Sequence, residues 1–113
     1  MPTLTLTNTI VTGNHRYACE RFASGTTATV VSGGHNVVQD ASCSPVASDV
    51  IVSDALIGPL AGNGGPTLTH ALLPGSPAID AGDDAKCPAT DQRGVARPQG
   101  AHCDVGAFER ELP

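Results

Sequence analysis

Five aspartates, Asp80, Asp83, Asp84, Asp91 and Asp104, form the one acidic cluster of this 113-residue chain. Paired carboxylates can hydrolyse or eliminate glycosidic bonds, one as acid and the other as base or nucleophile. That chemistry wants the acids on neighbouring exposed strands, with a basic residue and an aromatic-walled groove for the sugar. Here four of the five acids lie among turn residues, and the chain has one Tyr, two Phe and no Trp. No catalytic residue is therefore assigned. In "LLPGSPAIDAG" Asp80 is expected to hold a turn, its short carboxylate accepting backbone N–H groups, or to pair with Arg93 or Arg97. Asp91, Arg93, Arg97, Asp104 and Glu109 are expected to pair with one another or to cap backbone groups. As partly exposed pairs they would each contribute up to about 1 kcal/mol.

Other chemistries find less support. "DAGDDAKCPATD" spaces its oxygens as calcium prefers, yet it lacks the glycine and the distal glutamate of a known calcium loop. Calcium is thus at most a marginal ligand, and no cofactor is assigned. His15, His35, His70 and His102 are scattered, with no HExxH motif, and read as surface or turn histidines. The nucleophile-elbow, dinucleotide and phosphate-loop patterns are absent, and "GNGGP" is too short and too proline-bound to replace them.

Cys19, Cys43, Cys87 and Cys103 are even in number, without a CxxC pair or a histidine at finger spacing, which argues against zinc. Nearest-neighbour pairing, Cys19 with Cys43 and Cys87 with Cys103, closes two local loops worth about 3 kcal/mol each by loop entropy. Three pairings are open in principle. Disulfides imply an oxidising compartment, hence an extracellular or cell-surface protein; four buried thiols in a cytosolic protein is the alternative.

Composition narrows the partners. The net charge is -5 and the six basic residues are scattered, so no positive footprint for nucleic acid exists. No run approaches the roughly 18 apolar residues of a membrane span, and "MPTLTLT" lacks the features of a secretion signal. With 40% hydrophobic residues but few rings, Val, Ile, Leu and Ala must fill the core. Such side chains suit a thin, stacked interior.

The elements that must position these residues read as β. "LTLTNTIV", "TATVVS", "HNVV", "DVIV" and "DALI" alternate or run in short β-branched stretches, each followed by turn residues. Ile10-Val11, Val30-Val31 and Val50-Ile51 recur at a spacing of about 20. A repeat that short predicts a short solenoid in residues 1–57, each rung closing the core of its neighbour. Leu4, Leu6 and Ile10 share parity and should face inward, as should Asn8, satisfied by a turn or an amide ladder. A β-sandwich is the alternative all-β fold. From 58 to 113 recurrent prolines interrupt pairing and predict a loop-rich C-terminal cap packed with the rungs as one domain, "THALLPGS" forming a helical turn at most.

The stretch "GPLAGNGGPTLTHALLPGSPAIDAGDDAKCPATDQRGVARPQGAHCDVGAFE" resembles the signature of the choice-of-anchor Q domain, and "NTIVTGN" with "SGGHNVV" resembles the β-helical rungs preceding it. The resemblance implies a right-handed parallel β-helix with a loop-rich C-terminal cap, acting as a non-catalytic capping module of a secreted bacterial surface protein, near a sorting signal. Only "RELP" follows Glu109, so an excised piece of a longer solenoid is expected, its partners being upstream rungs or self-association through the N-terminal edge. A carbohydrate-binding or polysaccharide-degrading fragment and an adhesin are the competing functions.

Overall fold

The computed structural model describes residues 3–14, 17–19 and 29–111; the reading of His15 lies outside them. Among the described residues seven strands form where β-branched and threonine residues run between turn formers. They are β1 (Thr3–Thr7), β2 (Ile10–Val11), β3 (Thr29–Gly34), β4 (Val37–Val38), β5 (Val50–Ile51), β6 (Ile57–Ala61) and β7 (Thr69–Leu72). A single 3-10 turn spans Ala41–Cys43, with Asp40 as its cap.

The all-β expectation holds, but the parallel β-helix does not. The strands make three separate short sheets: β1-β3, β2-β4-β5 and β6-β7. The first two are parallel and the third is antiparallel, and the described residues form no closed solenoid. The inferred repeat also fails. Ile10 pairs with Val37 and Val37 with Val50, intervals of 27 and 13 rather than 20. Val30 pairs with Leu4, in a different sheet from Ile10 and Val50.

The reason lies in two bends. Asn8 and His35 both take positive φ, 52° and 58°, turning β1 into β2 and β3 into β4 at matched positions. Asn36, 1% exposed, braces the bend: its Oδ1 accepts from Thr9 N at 2.9 Å, while its Nδ2 donates to Leu6 O at 3.0 Å. A one-residue register shift before Thr7 accompanies it, and Gly33 at the extra position leaves no room for a Cβ against the Thr7 side chain.

After β5 the chain leaves the parallel sheet. "GNGGP" turns β6 back into β7, with Gly64 and Gly65 at φ 99° and 77°. Thr69–Leu72 is thus a strand and not a helical turn, because β6 supplies the ladder a helix would have supplied internally; Pro59 falls at the register irregularity between Ile57 and Leu60. The core joins both halves of the chain through Val37, Ala55, Leu72, Ala78, Val105 and Phe108. None of those side chains comes from β1, so Leu4, expected inside, stands 56% exposed.

Candidate functional site

The C-terminal acids and arginines assemble into one buried network. Asp91 starts it: Oδ1 accepts from the N–H groups of Arg93 and Val95 at 2.8 and 3.0 Å, and Oδ2 from Glu109 N at 2.8 Å. The Arg93 guanidinium closes on Oδ2 at 2.9 Å, donates to Glu109 O at 2.7 Å and lies 3.7 Å over the Phe108 ring. Gly65 allows this approach, since a Cβ there would come within 2.7 Å of Arg93 Cα.

Arg97 and Glu109 continue the network. Glu109, fully buried, accepts from Arg97 Nη1 at 3.3 Å, Asp104 N at 2.9 Å and Gln99 N at 3.2 Å. Arg97 also donates to Asp104 O and Gly106 O at 3.0 and 2.8 Å, while its Nε has no partner among the described residues. Asp104 accepts from Asp80 N and Arg110 N, both at 2.7 Å.

Two of the pairs, Arg93–Asp91 and Arg97–Glu109, are therefore buried rather than partly exposed, with 7% or less of each side chain accessible. The short loops around the cis Arg97-Pro98 bond wrap these groups, which sequence spacing alone did not reveal. Asp80 sits in a turn at φ 56°, but the roles differ from those expected: its backbone N–H donates to Asp104, and neither arginine pairs with it. Its carboxylate lies against Gly100, where a Cβ would stand 2.6 Å from Oδ1.

Burial and hydrogen bonding divide the carboxyls. Burial raises Asp91, but the N–H groups of Glu109 and Val95 and the Arg93 guanidinium outweigh it and leave the carboxyl below its ordinary value. In Asp104 and Glu109 burial prevails and both are raised, despite the backbone donors.

Asn8, expected to face inward, and Asn36 and Asp49, which carried no chemical signal, hold the halves together or brace the sheet. Asn8 accepts from Asp83 N at 2.7 Å and donates to Asp83 O at 3.1 Å, while Gly106 N donates to Asn8 O at 2.8 Å. Asn36 and Asp49 form the second device: Asp49 takes Asn36 N, Val46 N and the Ser32 hydroxyl. Burial raises the Asp49 carboxyl, but these donors together leave it lowered. Each lies at or beside a bend, but its partner lies too far along the chain to be read.

Two concavities stand out among the described residues. A cleft of about 540 Å³ separates β2 from the β6-β7 hairpin, walled by Ile10, Ile57, Leu60, Leu68 and Phe108 with Thr12 and His70 among its polar groups. His70 Nδ1 donates to Gly58 O at 2.8 Å. A smaller hollow of about 300 Å³ gathers His35, Asp80, Asp83, Asp84 and His102. There His35 Nδ1 donates to Ala81 O at 3.0 Å and His102 Nδ1 meets Asp84 Oδ2 at 2.7 Å.

The cysteines pair as nearest neighbours, Cys19 with Cys43 and Cys87 with Cys103, with Cα separations of 5.1 and 6.8 Å. These bridges point to an oxidising, extracellular-type environment. No helix among the described residues is long and apolar enough to cross a membrane. Comparison with family models, curated proteins and solved structures finds no match to the chain.

Proposed function

We propose that this chain is a non-catalytic structural module of a secreted bacterial surface protein, its loop-rich C-terminal half sealing a short parallel sheet near a surface-anchoring region. The reading rests on how the C-terminal segment meets β2. Thr9 and Val11 turn their backbone carbonyls toward β4, and Asn8, at the bend before β2, gives its N–H to Gly34 O on that same side while its carbonyl and side-chain amide go to the C-terminal half. Asp83 and Gly106 meet the chain there, and Gly106 also lies against Ile10 of β2, an edge strand of its sheet. A strand edge left bare is a template for unwanted pairing, and covering it is a structural task.

The acids support the same reading. Asp91, Asp104 and Glu109 are spent on backbone N–H groups and arginines inside the protein, leaving none of the three free to meet a substrate. Surface anchoring enters through the resemblance of residues 58–109 to the choice-of-anchor Q signature. The experiment is limited proteolysis of the parent surface protein with and without residues 58–111. Faster cleavage within β1 to β5 on deletion is the expected result; an unchanged pattern would overturn the sealing role. A glycan array with wild type and Asp80→Ala tests the carbohydrate alternative, which specific saccharide binding lost in the variant would favour.

A further inference from the structure

The loop that carries the second disulfide also carries a carboxylate and an imidazole. One carboxylate oxygen of Asp84 and the Sγ atoms of Cys87 and Cys103 all lie within 4.8 Å of one another. Ligand atoms around one tetrahedral zinc stand ~3.3–3.8 Å apart, given bonds of about 2.0–2.3 Å. In this structure the two sulfurs are bonded to each other, so only reduction frees them to spread to that spacing around a common ion. We propose that, in the reduced chain, Cys87, Cys103 and Asp84 bind one Zn²⁺, so that metal and disulfide are alternative clasps of the same loop.

The surroundings are arranged for it. Cys103 is fully buried and held from two sides: its N–H donates to Asp84 Oδ1 at 2.7 Å, and its carbonyl accepts from Gly82 N at 2.8 Å. Gly82 presses so close that a Cβ there would stand 2.8 Å from Cys103 Sγ. His102 fixes the other oxygen of Asp84 at 2.7 Å, the imidazole-to-carboxylate contact that orients ligands in metal sites. Cys87 is half-buried and Asp84 exposed, so the open side admits an ion and leaves its fourth position to water.

Charge supplies the reason. Reduction by a dithiol transfers two electrons and two protons to the bridge, and the reductant becomes a disulfide. Each thiol that then ionises adds a negative charge beside Asp84, which favours a cation in that place. Zn²⁺ displaces the two thiol protons and forms two Zn–S bonds; thiolate ligands select it over calcium or magnesium. The loop would thus be held before oxidation as well as after it. The histidine-adjacent Cys103 and the distant Cys87 escape the CxxC rule because their pairing is made by the fold.

The test uses wild-type protein reduced with a dithiol and then freed of it. Zn²⁺ should protect Cys87 and Cys103 from iodoacetamide at least tenfold more than Cys19 and Cys43, read by peptide mapping. Co²⁺ should produce thiolate-to-metal absorption at one equivalent. Asp84→Asn should weaken zinc binding tenfold or more, with the Cys19–Cys43 peptides unchanged. Equal protection of all four cysteines, or no cobalt–thiolate band, would overturn the proposal.

Discussion

Asn8 and Asp83, 75 positions apart, are joined as two strands would be: the Asn8 side-chain amide accepts from the Asp83 N–H at 2.7 Å and donates to its carbonyl at 3.1 Å. One side chain thereby extends the first sheet into the C-terminal segment. Asn8 also sits at φ 52°, where asparagine is tolerated better than most residues. Asn8→Ala should lose both bonds and add left-handed strain, about 2–3 kcal/mol in all. Asn8→Gly should cost less, since glycine relieves the backbone. Urea denaturation of the two variants separates the contributions, and equal losses would show that the side-chain bracket alone matters.

The buried pair of Arg97 and Glu109 should be intolerant of halves. Arg97→Met leaves Glu109 buried without its cation, and breaking such a pair costs about 3–5 kcal/mol. Arg97→Lys should restore little, because a single ammonium cannot reach Glu109, Asp104 O and Gly106 O with the forked geometry the guanidinium uses. The double variant Arg97→Met, Glu109→Gln should be more stable than Arg97→Met alone. Thermal unfolding of the three proteins reads the coupling directly.

How much of this could be read from the residues themselves divides along the range of each signal. Strand positions in the first half were legible, since β-branched runs and turn formers act locally, whereas β7, read as a helical turn, depends on its pairing with β6. The cysteine pairing followed from loop locality. The register was not legible: an apparent interval of 20 came from Val30-Val31, which lies before the bend at His35 and so pairs with β1, not with β2. The acids and arginines were recognised as structural, but their burial was not, because it depends on loops from Asn63 to Glu109 closing over them. Asn8, Asn36 and Asp49 resemble ordinary turn residues until their distant partners are known.

Acid should act on the fold in two opposite ways. Asp49 and Asp91 are lowered from an ordinary 3.8, so their contribution is present above that value and is lost as pH falls through their folded values. Asp104 and Glu109 are raised from 3.8 and 4.5, so the folded protein binds their protons more tightly than the unfolded chain does. Stability should accordingly hold or rise as pH drops from neutral toward the ordinary carboxylate range, then fall steeply below it. Glu109→Gln should flatten the upper part of the profile, and Asp91→Asn the lower part. Unfolding free energies measured at a series of pH values check the sign of each slope.

The bridge between Cys19 and Cys43 should stabilise chiefly by restricting the unfolded chain. Its sequence separation is 24, for which loop entropy gives about 3 kcal/mol. On the native side the same region is tied to the 3-10 turn: Ala18 N donates to Asp40 Oδ2 at 3.1 Å, and Cys19 N to the Ser42 hydroxyl at 2.8 Å. Those bonds need no disulfide, so Cys19→Ala with Cys43→Ala should lower stability without dismantling the turn. Asp40→Ala should do the reverse, releasing both Ala18 and the Ser42 cap while the bridge remains. Hydrogen exchange at Ala18 and Ser42 distinguishes them: protection should persist relative to global stability in the cysteine variant and be lost in Asp40→Ala.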